Sequence, residues 1–244
     1  MARFFITEEN KTEYGINING DDHFHLSKSL RMKISEKIVA SDGVLEYNCI
    51  IDKICDNHTE CKILSENPPK GEPSVNVYVY ISATKGDKLD LVTQKVTELG
   101  AYAIIPFSSA RSIVKFDEKS AKKRKERLQK IAVEAAKQSG RGKIPQVCDF
   151  LNLKTVVKDI KDKDLNIVLY ENEQDVSLKE IISEQKFESI SIIIGPEGGF
   201  DSTEIEYLLE NNVQVASLGK RILRAETAPI ACVSAIMYQT DNLS

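Results

Sequence analysis

A chain of 244 residues with 41% apolar and 29% charged residues has the balance of a folded globular protein, with room for one large or two modest domains; a disordered or fibrous chain is excluded. The longest apolar run, around Ser191-Ile192-Ile193-Ile194, falls far short of the ~20 residues of a membrane helix, and the first residues lack a secretory signal's apolar stretch, so a cytoplasmic protein is expected. The net charge of −4 is unevenly spread: residues 1–70 hold 9 basic and 12 acidic side chains, residues 71–150 hold 15 and 9, and residues 151–244 hold 9 and 16. The basic middle allows a polyanion partner that the average charge argues against.

In chain order, Glu36–Ala40, Val44–Ile54 and Thr59–Leu64 read as short strands separated by polar turns, which predicts a small β-barrel of about 70 residues. His23 and His25, flanking Phe24, share one face if that segment is extended, with His25 either structural or facing a ligand. Residues 65–74 hold three prolines and a glycine and read as a linker between domains 1–70 and 71–244. Beyond it, strands at Val75–Ile81, Tyr102–Pro106, Asn166–Tyr170, Ser189–Ile194 and Val213–Leu218 alternate with helices, the pattern of a mostly parallel α/β sheet covered on both faces. Helical spacing covers Leu89–Leu99 and Ser120–Ser139, Asp201 and Glu204 form a capping box, and a final helix from Thr227 is apolar nearly all round. The five cysteines never show Cys-x-x-Cys spacing, so reduced, mostly buried thiols are expected; Cys49, Cys55 and Cys61 with His58 fit no zinc pattern, and no metal is expected.

Two segments carry chemistry. Ile194-Gly195-Pro196-Glu197-Gly198-Gly199-Phe200 stands where a strand ends and a capped helix begins, and its glycines let backbone approach a ligand. Leu218-Gly219-Lys220-Arg221-Ile222-Leu223-Arg224-Ala225-Glu226-Thr227-Ala228 likewise joins a strand end to a helix start. Neither is a dinucleotide fingerprint or a P-loop. Taken alone, the first can be a plain turn and the second a surface ion pair with Thr227 as cap.

Together with His25-Leu26, Leu30-Arg31, Lys85-Gly86-Asp87, Gln94-Lys95, Thr97-Glu98-Leu99-Gly100, Arg111-Ser112, Val114-Lys115, Glu134-Ala135-Ala136, Gln138 and Gly140-Arg141, these loops give a chain that resembles the knotted SPOUT methyltransferases. The resemblance is to the bacterial branch that methylates N3 of a uridine in 16S ribosomal RNA. Lys220 stands where that family usually has proline. The resemblance implies a PUA-like N-terminal β-barrel, a C-terminal SPOUT α/β domain with a trefoil knot, a homodimer, S-adenosyl-L-methionine as cofactor and 16S rRNA of the small ribosomal subunit as partner. It implies a cofactor pocket of Leu169, Ile194, Gly195, Pro196, Glu197, Gly198, Gly199, Leu218, Gly219, Ile222, Leu223, Arg224, Thr227 and Ala228. Uracil N3 is a poor nucleophile until it loses its proton, so Glu226 is the expected base or orienter and Arg224 or Arg221 the expected electrostatic stabiliser. Arg31, Lys85, Arg111, Gln138 and Arg141 are the expected RNA contacts, and the run Lys119–Lys130 is either an RNA track or a solvated helix face. Ribose 2′-O-methylation of tRNA or rRNA and a non-catalytic RNA-binding or ribosome-assembly role stay open as alternatives.

Overall fold

Alternating apolar residues turn the N-terminal runs into strands that bury one face each. In the computed structural model, which describes residues 1–84, 86–112 and 117–243, these are β1 (Ala2–Phe5), β2 (Lys11–Thr12), β3 (Gly15–Asn19), β4 (Lys37–Ser41), β5 (Glu46–Ile54) and β6 (His58–Asn67). They form one sheet in the order β1-β4-β5-β6-β3-β2. Phe4, Ile16, Ile18, Leu26, Ile38, Tyr47, Cys49 and Ile51 make its core. The sequence predicts a barrel, whereas among the described residues the ladder does not close: β1 pairs only with β4, and the two-residue β2 pairs only with β3.

The segment around the histidines is helical rather than extended. Short helix α1 (Gly20–Phe24) continues into a wide turn over His25–Ser29. His23 is therefore buried, sharing a 2.9 Å hydrogen bond between Nδ1 and Thr59 Oγ1, while His25 is exposed. The linker is also shorter than the proline count suggests, because Ser65 and Glu66 still pair with Asn48 and Tyr47.

This first unit extends to Glu72 and also takes in residues 136–144. The Glu72 carboxylate explains both facts. It accepts hydrogen bonds from Arg141 Nη2 at 2.7 Å, Gly142 N at 2.9 Å and Lys143 N at 3.0 Å. Ser41 Oγ donates to Gly142 O at 2.6 Å, and Lys137 pairs with Asp22 at 2.6 Å.

The second unit, residues 73–135 and 145–244, is an α/β sheet. Its strands are β7 (Asn76–Ser82), β8 (Ala103–Ser108), β9 (Gln146–Val147), β10 (Leu151–Asn152), β11 (Leu165–Leu169), β12 (Ser189–Ile194) and β13 (Gln214–Ala216), and its helices α2 (Lys88–Glu98), α3 (Glu118–Ser139, whose last turn belongs to the first unit), α4 (Leu153–Asp159), α5 (Leu178–Glu184), α6 (Ser202–Glu210) and α7 (Thr227–Gln239). Strand order is β10-β8-β7-β12-β11-β13, with β9 beside β8, and every pairing is parallel. Apolar residues of α2, α3, α5 and α7 share one core on one face; those of α4 and α6 share another on the opposite face. No described helix is long and apolar enough to cross a membrane.

One consequence positions the site. The neighbours β7 and β12 hand the chain to α2 and α6, which lie on opposite faces of the sheet. Connections that part in this way open a crevice at the carboxyl ends of the two strands.

Candidate active site at the carboxyl edge of the parallel sheet

Strand register sets the floor of the crevice. Ile81, Ile194, Leu169 and Ala216 lie in one row across β7, β12, β11 and β13, so the loops that follow them leave the sheet at one level. Leu169 and Ile194, with partly buried Leu218 and Ala228, belong to one apolar cluster, which brings together residues from both predicted loops.

The glycine loop has a fixed shape. A Cβ on Gly195 would stand 2.9 Å from the ring of the fully buried Phe200, so this position admits no side chain without repacking. Gly199 has φ +68° and lies against the Glu171 carboxylate. The predicted capping box is present: Asp201 Oδ1 accepts from Thr203 N, and Glu204 Oε2 accepts from Asp201 N at 3.0 Å. The other oxygen of Glu204 accepts from Ala110 N at 2.8 Å. Arg111 donates to the carbonyls of Gly198 at 3.2 Å and Phe200 at 3.3 Å and pairs with Asp201 at 3.0 Å. The sequence reading assigns Arg111 to RNA; in the structure its guanidinium fastens the glycine loop, with about half of the side chain exposed. Beneath it, the hydroxyls of Ser82 and Ser112 are 2.8 Å apart, and Ser109 N donates to Ser112 Oγ at 2.8 Å.

The second loop meets the first through a residue that sequence reasoning missed. Lys88 Nζ, in the first turn of α2, lies 3.0 Å from Glu197 Oε1 and 3.4 Å from Glu226 Oε2. Arg224 is 4.0 Å from Glu226 and 85% exposed, whereas the Glu226 side chain is 15% exposed. The hydrogen bond from its own backbone N–H, with Lys88 and Arg224, holds the Glu226 carboxyl below its usual range despite partial burial. Lys88 is held more basic than usual by Glu197 first and Glu226 second. Thr84 Oγ1, buried just past β7, has no hydrogen-bond partner among the described residues, and the buried Glu226 Oε2 faces the Lys88 ammonium. Glu226, not Thr227, occupies the N-cap position of α7.

The remaining predicted residues are dispersed. Gly219, Lys220, Arg221 and Ile222 form an exposed arm, with Ile222 82% exposed; no contact joins Arg221 to Glu226 among the described residues. In the first unit, Arg31 is exposed at φ +52° and Gln138 is exposed. Arg141, expected to meet RNA, is only 4% exposed and is paired with Glu72, an architectural role. Lys85, Val114 and Lys115 lie outside the described residues. The basic run of α3 is partly spent on acids: Arg124 pairs with Asp90 at 2.9 Å, Arg127 with Asp87 at 3.1 Å and with Asp90, and Lys125 with Asp149 at 2.8 Å. Cys55, His58 and Glu60 come within 4.8 Å of one another, but thiol, imidazole and Lys53 all converge on the one oxygen Glu60 Oε1, an arrangement that satisfies itself. Three of the five cysteines, Cys49, Cys61 and Cys232, are buried. The signal for Lys88 was its place beside Lys85-Gly86-Asp87; no local pattern marked Glu171 or Glu72.

Residues 71–237 match the family described as RNA methyltransferase domain. The chain is 38% identical to the ribosomal RNA small subunit methyltransferase E of Bacillus subtilis (strain 168), covering 100% of this chain and 98% of that protein. It is 31% identical to the protein of the same name from Rickettsia conorii, covering 96% and 94%. The crystal structure of the Neisseria gonorrhoeae ribosomal RNA small subunit methyltransferase E bound to S-adenosyl methionine superposes with TM-score 0.86 at 31% identity, covering 98% of this chain and 97% of that one. With a family match over more than half its length and such relatives along all of it, this chain belongs to the RNA methyltransferase family that includes ribosomal RNA small subunit methyltransferase E.

Proposed function

We propose that the protein transfers a methyl group from S-adenosyl-L-methionine to N3 of a uridine in 16S rRNA of the small ribosomal subunit. The observation that carries this reading is the crevice at the β7–β12 switch point, bordered by the glycine loop and the loop before α7. Its chemistry fits the cofactor. Thr84 Oγ1 leaves a buried polar atom for a ligand, and glycine backbone with aliphatic walls suits an adenosine. Leu169 with residues 194–199 and 218–228 would hold it, Ile222 and Leu223 at the rim. The bound cofactor supplies an electrophilic methyl on a sulfonium.

The chain's own task is to orient the uracil and manage its proton. A carboxylate held below its ordinary range is a weak base, so Glu226 serves as an ionised acceptor that aligns N3–H, and the proton lost as the N3–CH3 bond forms and the S–CH3 bond breaks passes on to solvent water. Lys88 is the fixed cation beside it, in a place the exposed Arg221 and Arg224 do not fill. Phosphate contacts fall to Arg31 and Gln138 in the first unit, and to Lys119, Lys122, Lys123 and Lys130 on α3, for which no ion pair is seen among the described residues. The PUA-like character of the first unit, the knotted path of the second, a cytoplasmic location and a homodimer belong to the same reading. Support for the dimer is α7, which buries Cys232, Val233, Ile236 and Met237 yet leaves Tyr238 76% exposed beside partly exposed Ile230, Ala231 and Ser234.

The test is mass-spectrometric nucleoside mapping of rRNA after incubating purified protein and S-adenosylmethionine with unmethylated small subunits, and with naked rRNA. Base-methylated uridine is expected; ribose-methylated nucleosides, or none, overturn the proposal.

A further inference from the structure

We propose that Lys88 is a positioning residue for methyl transfer: its ammonium ties Glu226 to Glu197 and so fixes the carboxylate and the glycine loop against each other. The proposal rests on reading residues 195–199 and 217–226 as the transfer site.

The geometry separates Lys88 from the other nearby cations. Arg224 approaches Glu226 only to 4.0 Å and is almost wholly in solvent, where an ion pair contributes little and is screened. Lys88 is partly buried and reaches both carboxylates at once. Its own backbone is anchored from a third element. Arg124 of α3 donates to Gly86 O at 2.8 Å and pairs with Asp90, while Arg127 binds Asp87 and Asp90, so the turn on both sides of Lys88 is pinned. A flexible lysine at the start of a helix thereby becomes a cation of fixed origin.

The electrostatic consequence has a definite sign. The charged groups facing Glu226 among the described residues are Lys88 from α2, Glu197 from the glycine loop, across the same ammonium, and Arg224 from its own loop. Removing Lys88 leaves two carboxylates without the cation between them. Glu226 then protonates at higher pH, and the loops lose their link.

The experiment compares the full-length protein with Lys88→Ala, Lys88→Gln and Lys88→Arg. The Glu226 carboxyl is titrated by 13C NMR, its resonance assigned by its loss in Glu226→Gln, and single-turnover methyl transfer to small subunits is measured across pH. Lys88→Ala and Lys88→Gln are expected to move both the Glu226 midpoint and the acidic limb of the rate upward, with a rate loss of about ten- to a hundredfold at neutral pH. Lys88→Arg is expected to restore most of both. An unmoved Glu226 titration in Lys88→Ala, in a protein that melts like the wild type, overturns the proposal, as does a rate loss in Lys88→Arg equal to that in Lys88→Ala. Should wild-type protein methylate no RNA, the functional reading falls by itself, and the substrate-free titration still decides whether Lys88 governs Glu226.

Discussion

Replacing Glu72 by Ala probes an interaction that no local sequence pattern announced. The substitution removes a carboxylate partner of a guanidinium that is 4% exposed and the acceptor of the Gly142 and Lys143 N–H groups. Breaking a buried pair from one side costs about 3–5 kcal/mol, because the remaining charge stays out of water. In a unit of about eighty residues each kcal/mol moves Tm by about 4–8 °C. A fall of at least about 12 °C is therefore expected for the first unit. Calorimetry, with hydrogen exchange of the β5 and β6 amides to assign the transition, measures it. Glu72→Gln keeps acceptors for the backbone N–H groups and should lose less. The reasoning is refuted if Glu72→Ala leaves Tm and exchange unchanged while Arg141→Ala weakens RNA binding alone, for Arg141 would then be a contact residue and not a structural one.

Three further outcomes follow from named contacts. Gly195→Ala presses a methyl onto the buried Phe200 ring and should cost about 1–3 kcal/mol in urea unfolding, with weaker S-adenosylmethionine binding by calorimetry; wild-type values of both would show that the loop yields. Burial of Asp42 raises its carboxyl, but hydrogen bonds from Leu45 N, Lys11, Val44 N and Tyr47 outweigh that and hold it well below the usual range. Such a depressed carboxylate stabilises the fold above its unfolded value near ~3.9 and loses that contribution as pH falls further, so acid melts of the first unit should flatten below about pH 4 in Asp42→Asn. Burial pushes the thiols of Cys49 to about 11 and Cys61 to about 12 and raises Cys232 as well. At pH 8 only about one Cys61 in ten thousand is a thiolate. A thiol reagent should thus label Cys55 first in the native protein and reach Cys49, Cys61 and Cys232 only on unfolding; rapid labelling of all five would contradict the buried positions.

The second unit was largely legible because its signals are local. Val75–Ile81 predicts the strand found at Asn76–Ser82, helical spacing predicts α2 to within a residue at each end, and Asp201 with Glu204 marks the start of α6. The short helices α4 and α5 escaped notice, since seven residues give too few turns for a periodic stripe. The first unit was read less well. Polar Gly20-Asp21-Asp22 begins a helix that the alternation of His23 and His25 masked, and membership of residues 136–144 depends on Glu72, far away in sequence. At the site, glycines and capping residues announced the loops. The partners of charged side chains could not be read in this way, because pairing is set by the tertiary fold. Arg111 and Arg141 looked like free cations and are engaged, while Lys88 looked ordinary and is central.

Strand order carries a kinetic consequence. β12 sits between β7 and β11, and its register with β7 joins Ser189 to Asn76, more than one hundred positions apart. Pairings of such long range are slow to form, since the chain must close a large loop before any contact rewards it. During synthesis β7 and β8 can pair early, but the crevice has no second wall until β12 arrives and no Glu226 until the segment before α7 follows. Cofactor capture by a growing chain thus has to wait for both loops, and any product that stops before Ser189 keeps part of a sheet with Lys88 and Leu169 but neither the glycine loop nor Glu226.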